Sequence, residues 1–288
     1  MSMELFAQAI INGLFIGFLF GLFGMGLTII FGIMKVLNIS TGAMIVLGAF
    51  TAFWMTSLFG ISPFIGVLIA GAFGFGTGVV IYQLVVRRVV REQMLSSLLA
   101  LFGVSMIFEN VMLNLWGSNP RSISFFFPSL NVGAVAISGT RVLVSLLAVV
   151  ATILLLALLR YTYLGRIIRA TVQNWRAATL MGVDVNRVYT IGFAIGVTLT
   201  FVAGALMAFL YPFEPFSGFR FTLYAFVVVV LGTLGNPLGC MIAGLIIGLV
   251  NSFIGVYWIP AMIPAVVYVV LILTFLLMPQ GIMGRRRQ

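Results

Sequence analysis

The chain has 288 residues, 62% hydrophobic and only 7% charged, where soluble proteins run at roughly 45–50% and about 25%. It is therefore an integral membrane protein, all-α and polytopic, and at about 20 residues per span it holds about eight to ten transmembrane helices, some of them broken, with no room for an extramembrane domain. The net charge of +10 is gathered into a few short basic clusters, as topology determinants are, which excludes a nucleic-acid surface; with no histidine, one cysteine and five acids, there is also no metal site, disulfide or catalytic triad.

Residues 5–34 form the first apolar run. The N-terminus MSMELFAQAI lacks the basic region of a cleaved signal peptide, so this span is expected to be retained. Gly13, Gly17 and Gly21 recur every four residues and put small residues on one face, where a second helix can approach closely. Lys35, the only lysine, marks a cytoplasmic end. The uncharged polar patch Asn38-Ile39-Ser40-Thr41-Gly42 follows. It either joins two spans or interrupts a helix. Residues 43–59 and 64–86 are the next spans, with Ser62 and Pro63 turning the chain between them. Arg87, Arg88 and Arg91 make a basic turn.

The span 94–115 carries Glu109, Asn110 and Asn114. Charge inside a span is costly and marks either a pathway or an interhelical hydrogen-bond cluster. In Trp116–Ser138, Asn119, Pro120, Pro128, Asn131 and Gly133 break any helix, and Trp116 with Phe125, Phe126 and Phe127 suits an interfacial belt. Residues 142–159 lead into a basic loop, and 189–210 leave it. After the turn Tyr211–Pro215, the run 221–231 is stopped by the glycine-rich 232–239, and 240–257 and 261–278 complete the spans before Arg285, Arg286 and Arg287. Counting back from that basic tail gives nine spans, an outer N-terminus, and every basic cluster inside. Arg121, Arg141 and Arg220 fall outside as single snorkelling residues. Asn38–Gly48 and Asn236–Gly248 resemble each other; an internal duplication would account for this, and so would chance in glycine-rich membrane sequence.

The basic loop holds Arg160, Arg166, Arg169, Arg176 and Arg187 against Asp184 alone. It is too polar for hydrocarbon. Val172, Trp175, Ala178 and Met181 recur every three residues before Gly182, so the spacing predicts one helix over Thr171–Gly182 with an apolar face. Such an element is a docking surface or a solvated connector. No phosphate-cradling loop exists, because Lys35 follows Met34 and GxxxxGK[ST] cannot occur.

The same loop resembles that of the Liv-type permeases of bacterial branched-chain amino acid ABC importers, whose pattern runs roughly LGRAIRAxAxDxxxAxLxGIxxxRV. Leu164, Gly165, Arg166, Arg169, Ala170, Ala178, Leu180, Gly182, Val183, Arg187 and Val188 agree. LNISTGAMIVLGAF at 37–50 is similar to the family's INFAHGxxxxLGAY, and LGTLGNPLGCMIAGLIIGLVNS at 231–252 to its LGGxGSxxGAxxGGLxLGxxE. The C-terminal MPQGIMGRRR is similar to its MPxGLxGR ending. The chain departs at Ile39-Ser40-Thr41, where the family has Phe-Ala-His, at Asn174, where it has an acid, and near Asn251, where it has a glutamate.

The resemblance implies one permease domain over 1–288 with a cytoplasmic coupling loop at 160–188, in a bacterial inner membrane. It implies a second homologous permease, two cytoplasmic ABC ATPases that bind ATP and Mg, and an extracytoplasmic substrate-binding protein, with no cofactor in this chain. The expected ATPase-coupling residues are Arg169, Val172, Gln173, Asn174, Trp175, Arg176, Ala178, Leu180, Met181 and Gly182. Asn38, Ser40, Thr41, Asn110 and Asn236 are candidates for an uncharged polar substrate pathway, with Glu109 beside them, or else for helix-packing hydrogen bonds. The alternative is a self-sufficient secondary transporter or channel. The lack of histidine and the scarcity of intramembrane acids argue against proton coupling.

Overall fold

The computed structural model describes residues 2–90, 92–125, 127–132, 135–278 and 281–283. Among them are nine helices long and apolar enough to cross a membrane. Their order follows the sequence reading, because hydrocarbon forces each crossing segment to satisfy its own backbone. The elements are α1 (Ser2–Met34), α2 (Thr41–Phe59) and α3 (Pro63–Ile81), which passes through a π-turn (Tyr82–Val86) into α4 (Arg87–Val89). Next come α5 (Met94–Trp116), α6 (Gly139–Tyr161), α7 (Tyr163–Gln173), α8 (Trp175–Leu180) and α9 (Val185–Met207). A short 3-10 turn (Pro215–Ser217) leads into α10 (Gly218–Gly232), followed by α11 (Pro237–Tyr257) and α12 (Ile263–Leu277). The loop between α5 and α6 holds a hairpin, β1 (Leu130–Val132) antiparallel to β2 (Val135–Ile137), with Leu130 opposite Ile137. The all-α expectation thus holds for the spans, and this one loop departs from it.

Small residues set the core. The glycine stripe of α1 packs on α11: a Cβ built at Gly17 would stand 2.7 Å from the Leu245 Cα, and one at Gly13 2.9 Å from the Leu249 Cα. α2 and α9 cross backbone to backbone, Gly48 against Phe201 and Gly204 against Ile45. The two segments that resemble each other meet the two ends of α10. Gly42, in the first turn of α2, packs on Gly218, and Gly239, in the first turn of α11, packs on Gly232. α6 and α12 expose mainly hydrocarbon, Leu146, Ile153 and Leu154 on one and Ile272, Leu276 and Leu277 on the other, as lipid contact requires.

The polar patch after Lys35 does not join two spans at the surface. Residues 35–38 are non-helical, and Val36, Asn38 and Ser40 are buried. The break starts beside Val185 and Asn186 at the beginning of α9. It ends where Gly42, buried with the rest of the first turns of α2, meets Gly218, the first residue of α10. Helix α2 therefore begins inside the bundle. Irregular backbone at that depth needs partners, and it has them. The Asn38 Oδ1 accepts from the Ser40 N–H at 3.1 Å and from the Ser40 hydroxyl at 2.6 Å. Thr41 donates to the Asn38 carbonyl at 2.7 Å. The Thr222 hydroxyl of α10 accepts from the Gly42 N–H at 2.9 Å and shares its one proton between the Ile39 and Gly218 carbonyls, each at 3.2 Å. Thr222→Val removes both cross-links at once and leaves buried backbone groups unpaired, so it is expected to cost about 2 kcal/mol. Thermal unfolding in detergent reads the loss, and an unchanged midpoint would show that the break is held elsewhere.

Lys35, Arg87, Arg88, Arg160, Arg166, Arg169, Arg176 and Arg187 lie at one end of the bundle, the basic end, while Arg121, Arg141 and Arg220 lie at the far end. Arg91 and Arg285–Arg287 fall outside the described residues. Clustered arginine predicts that the basic end faces the cytoplasm. Cys240, the only cysteine, is fully buried, so Cys240→Ser gives a silent background. In it, Gln173→Cys and Ser129→Cys, both at exposed positions, are expected to label with an impermeant maleimide from opposite sides. Labelling of both from one side would overturn the topology.

Candidate functional site

At the basic end the chain leaves α6 through Thr162, whose hydroxyl caps α7 by accepting from the Gly165 N–H at 3.1 Å. Gly165 lies so close to the Leu158 and Leu159 carbonyls that no side chain fits there. Ile168 and Thr171 turn α7 inward, and Arg166 and Arg169 stay exposed. Arg169 donates to the Leu159 carbonyl, which ties α7 back to α6. Asn174 then takes extended backbone, φ −155° and ψ 97°, and its Oδ1 accepts from the Ala177 N–H at 3.1 Å, starting α8. Gly182, at φ +82°, ends the element in a conformation that glycine adopts without strain. Asp184 caps α9 through the N–H groups of Asn186 and Arg187.

The single helix expected over Thr171–Gly182 is thus two, with Asn174 as the joint. An asparagine side chain offers a backbone N–H an alternative to the helical ladder, and N-caps are where it does so best. The expected shared face also fails. In an α-helix a three-residue step falls about 60° short of a full turn, so Val172, Trp175, Ala178 and Met181 spread around the axis. Ala178 is buried, whereas Trp175 is 47%, Met181 84% and Leu180 88% exposed. The exposed apolar side chains are Trp175 at the start of α8 and Leu180 and Met181 at its end, with Arg176 stacked on the Trp175 ring at 5.3 Å.

Beside this element opens a cavity of about 590 Å³. Thr171, Val172 and Trp175 line it from the loop, Ile33 and Lys35 from the end of α1 and the break, and Tyr82, Arg87, Val185 and Asn186 are among the others. It joins the coupling loop to the broken span. The Tyr82 hydroxyl donates to the Asn186 Oδ1 at 3.0 Å across its floor.

The pathway candidates divide into three groups. Asn38, Ser40 and Thr41 form the buried cluster that supports the break, each using its polar atoms locally. Glu109 is half-buried on α5, accepting from the Ser105 hydroxyl at 3.1 Å, and Asn110 is exposed, donating to the Met106 carbonyl of its own helix. Asn236 caps α11 by accepting from the Gly239 N–H at 3.2 Å. No described hydrogen bond links the three groups.

Sequence reasoning missed the role of Arg121. It does not snorkel as a lone outer charge. Its guanidinium lies over the rings of Phe53 and Trp54, at 5.2 and 4.8 Å, and donates to the Trp116 carbonyl at 3.0 Å. Its backbone pairs both ways with Phe213 at 2.9 Å. The residue clasps the far-end loop onto α2, and cation–π contact with indole explains why it stays.

Residues 9–278 match the family described as branched-chain amino acid transport system / permease component. The chain belongs to this family. The permease is 29% identical, over 97% of its own length and 96% of the relative's, to the high-affinity branched-chain amino acid transport system permease protein LivH of Salmonella typhimurium. It is 26% identical to BraD of Pseudomonas aeruginosa over the same shares, and 27% identical to a probable LivH of Methanocaldococcus jannaschii over 91% and 88%. No solved structure matches the chain. The permease is a multi-pass protein of the inner membrane and a transport component. Its departures from the family pattern now have structural readings. Asn174 caps α8, a task that asparagine and aspartate do equally well. Thr41 stands at the histidine position and bonds locally. Asn251 is half-buried on α11.

Proposed function

We propose that this permease is the translocation subunit of a binding-protein-dependent ABC importer for branched-chain amino acids or similar small organic solutes. It pairs in the membrane with a second homologous permease. Two separate ATPases, which carry the ATP and Mg, engage the basic end, and an extracytoplasmic binding protein delivers substrate to the far end. The observation that carries the reading is the exposed Trp175, Leu180 and Met181 on a two-helix element among arginines. Large apolar groups exposed together outside the membrane mark an interaction surface, and an apolar helix seated in a partner's groove is a recurrent recognition mode. Tied to α6 through Arg169 and continuous with α9 through its capped start at Asp184, the element passes a partner's movement to two spans.

Reconstitution tests this. Labelled leucine should enter proteoliposomes only when the permease, its partner permease, both ATPases, the binding protein and ATP are all present. The permease alone should bind no nucleotide. Leucine uptake by the permease alone, driven by an ion gradient, would replace the importer with a secondary transporter.

A further inference from the structure

The basic-end cavity has a chemistry that neither a topology signal nor a docking surface requires. Lys35 holds φ +58°, a left-handed backbone that costs a non-glycine residue strain and persists where the surroundings over-determine it. A positive-inside signal needs charge near the surface and no particular backbone. Arg87 supplies a second cation to the same cavity. Neither Lys35 nor Arg87 has a carboxylate partner among the described residues. Thr171, 2% exposed, also lines the cavity, and its hydroxyl has no hydrogen-bond partner among the described residues. A buried hydroxyl left unpaired costs free energy unless something satisfies it. Ile33, Val172 and Val185 add an apolar wall.

Two cations without a carboxylate partner among the described residues, Lys35 resting only on the Phe31 ring at 5.3 Å, one orphaned hydroxyl and an aliphatic wall fit a small molecule with a carboxylate at one end and a branched hydrocarbon at the other. We infer that this cavity is a product-side site that takes the carboxylate of an aliphatic amino acid on Lys35 and Arg87, with Thr171 donating to it, as the solute leaves toward the basic end. The inference rests on the importer reading and adds to it a place where solute pauses beside the coupling element. Val172 and Trp175 belong both to the coupling loop and to the cavity wall, so occupancy of the site would oppose the movement that resets the transporter. Product on the basic side would then slow import.

The test uses the complete transporter in proteoliposomes loaded with ATP and one of three lumenal probes: leucine, 4-methylpentanoate, which lacks the ammonium, or leucinol, which lacks the carboxylate. Initial uptake of labelled external leucine is measured. Lumenal leucine and 4-methylpentanoate should slow uptake, and leucinol should not. Lys35→Gly suits the left-handed backbone and removes the ammonium. It should raise the lumenal leucine concentration needed for half-inhibition about tenfold, the scale of one charge-assisted hydrogen bond. Lys35→Arg should restore it. Arg87→Gln and Thr171→Val should each weaken inhibition and serve as independent variants. If leucinol inhibits as well as leucine, or if Lys35→Gly, Arg87→Gln and Thr171→Val all keep the unaltered half-inhibition, the site is wrong while the importer stands. Absence of ATP-dependent uptake altogether would overturn the importer and this assignment with it.

Discussion

Gly204→Val is expected to destabilise the permease by about 3 kcal/mol, the upper part of the range for overpacking a close-packed core. At the crossing of α2 and α9, a Cβ at Gly204 would overlap the Ile45 carbonyl and one at Gly48 would overlap the Phe201 backbone. Both obstacles are main chain. No side-chain rotation relieves them, so the helices must part. The ring cluster above the crossing would open with them, since Phe50 of α2 stacks on Trp116 and meets Phe213 edge-on. Gly76→Val is the matched control, because a Cβ at Gly76 meets nothing within 4 Å; it should leave stability within about 0.5 kcal/mol. Fluorescence-detected size exclusion after heating reads both. Equal midpoints for the two variants would show that α2 does not cross α9 where the structure has it.

The spans were legible because lipid leaves a chain few choices. Runs such as Gly139–Tyr161 are too apolar to be anything but a crossing helix, and the glycine stripe of α1 found its partner in α11 because a small-residue face has one structural use. The breaks were legible only as polar patches. Whether Asn38–Gly42 turns at a surface or inside the bundle depends on Thr222, far away in sequence, and no local pattern reports a partner at that distance. The basic loop shows a second limit. Its arginines announced a water-facing segment, but the cap at Asn174 outweighed the helical propensity on either side, and periodicity carries no term for a side chain that ends a helix. The basic-end cavity was hidden for the same reason as the break. Its cations sit on α4 and the linker, its hydroxyl on α7, and only the packed bundle brings them together. Arg121 looked like an ordinary interfacial charge, since Phe53 and Trp54, which hold it, lie in another span.

Trp175→Ala is expected to weaken ATPase docking by about 2 kcal/mol or more, because large aromatics anchor helix-in-groove interfaces. The structure adds Leu180 and Met181, more exposed than Trp175 and at the outer end of α8. Leu180→Asp combined with Met181→Asp should therefore lower ATPase retention at least as far, since it places carboxylates where desolvated apolar contact is needed. Arg176→Ala should cost less and lose its effect in high salt, because an exposed charge is screened. Ala178 is not a docking probe. It is buried beneath α8, and Ala178→Asp would dislodge the helix itself. The element is held by caps and a tie to α6 that these exposed substitutions leave intact, so membrane insertion should be normal in each variant. Co-purification of the ATPases with the assembled transporter in detergent decides the matter, with uptake in proteoliposomes as the second reading. The expected order of loss is the Leu180 and Met181 pair first, Trp175→Ala close to it, and Arg176→Ala last. Full ATPase retention and normal uptake in the triple variant Trp175→Ala, Leu180→Asp, Met181→Asp would place the docking surface outside α8.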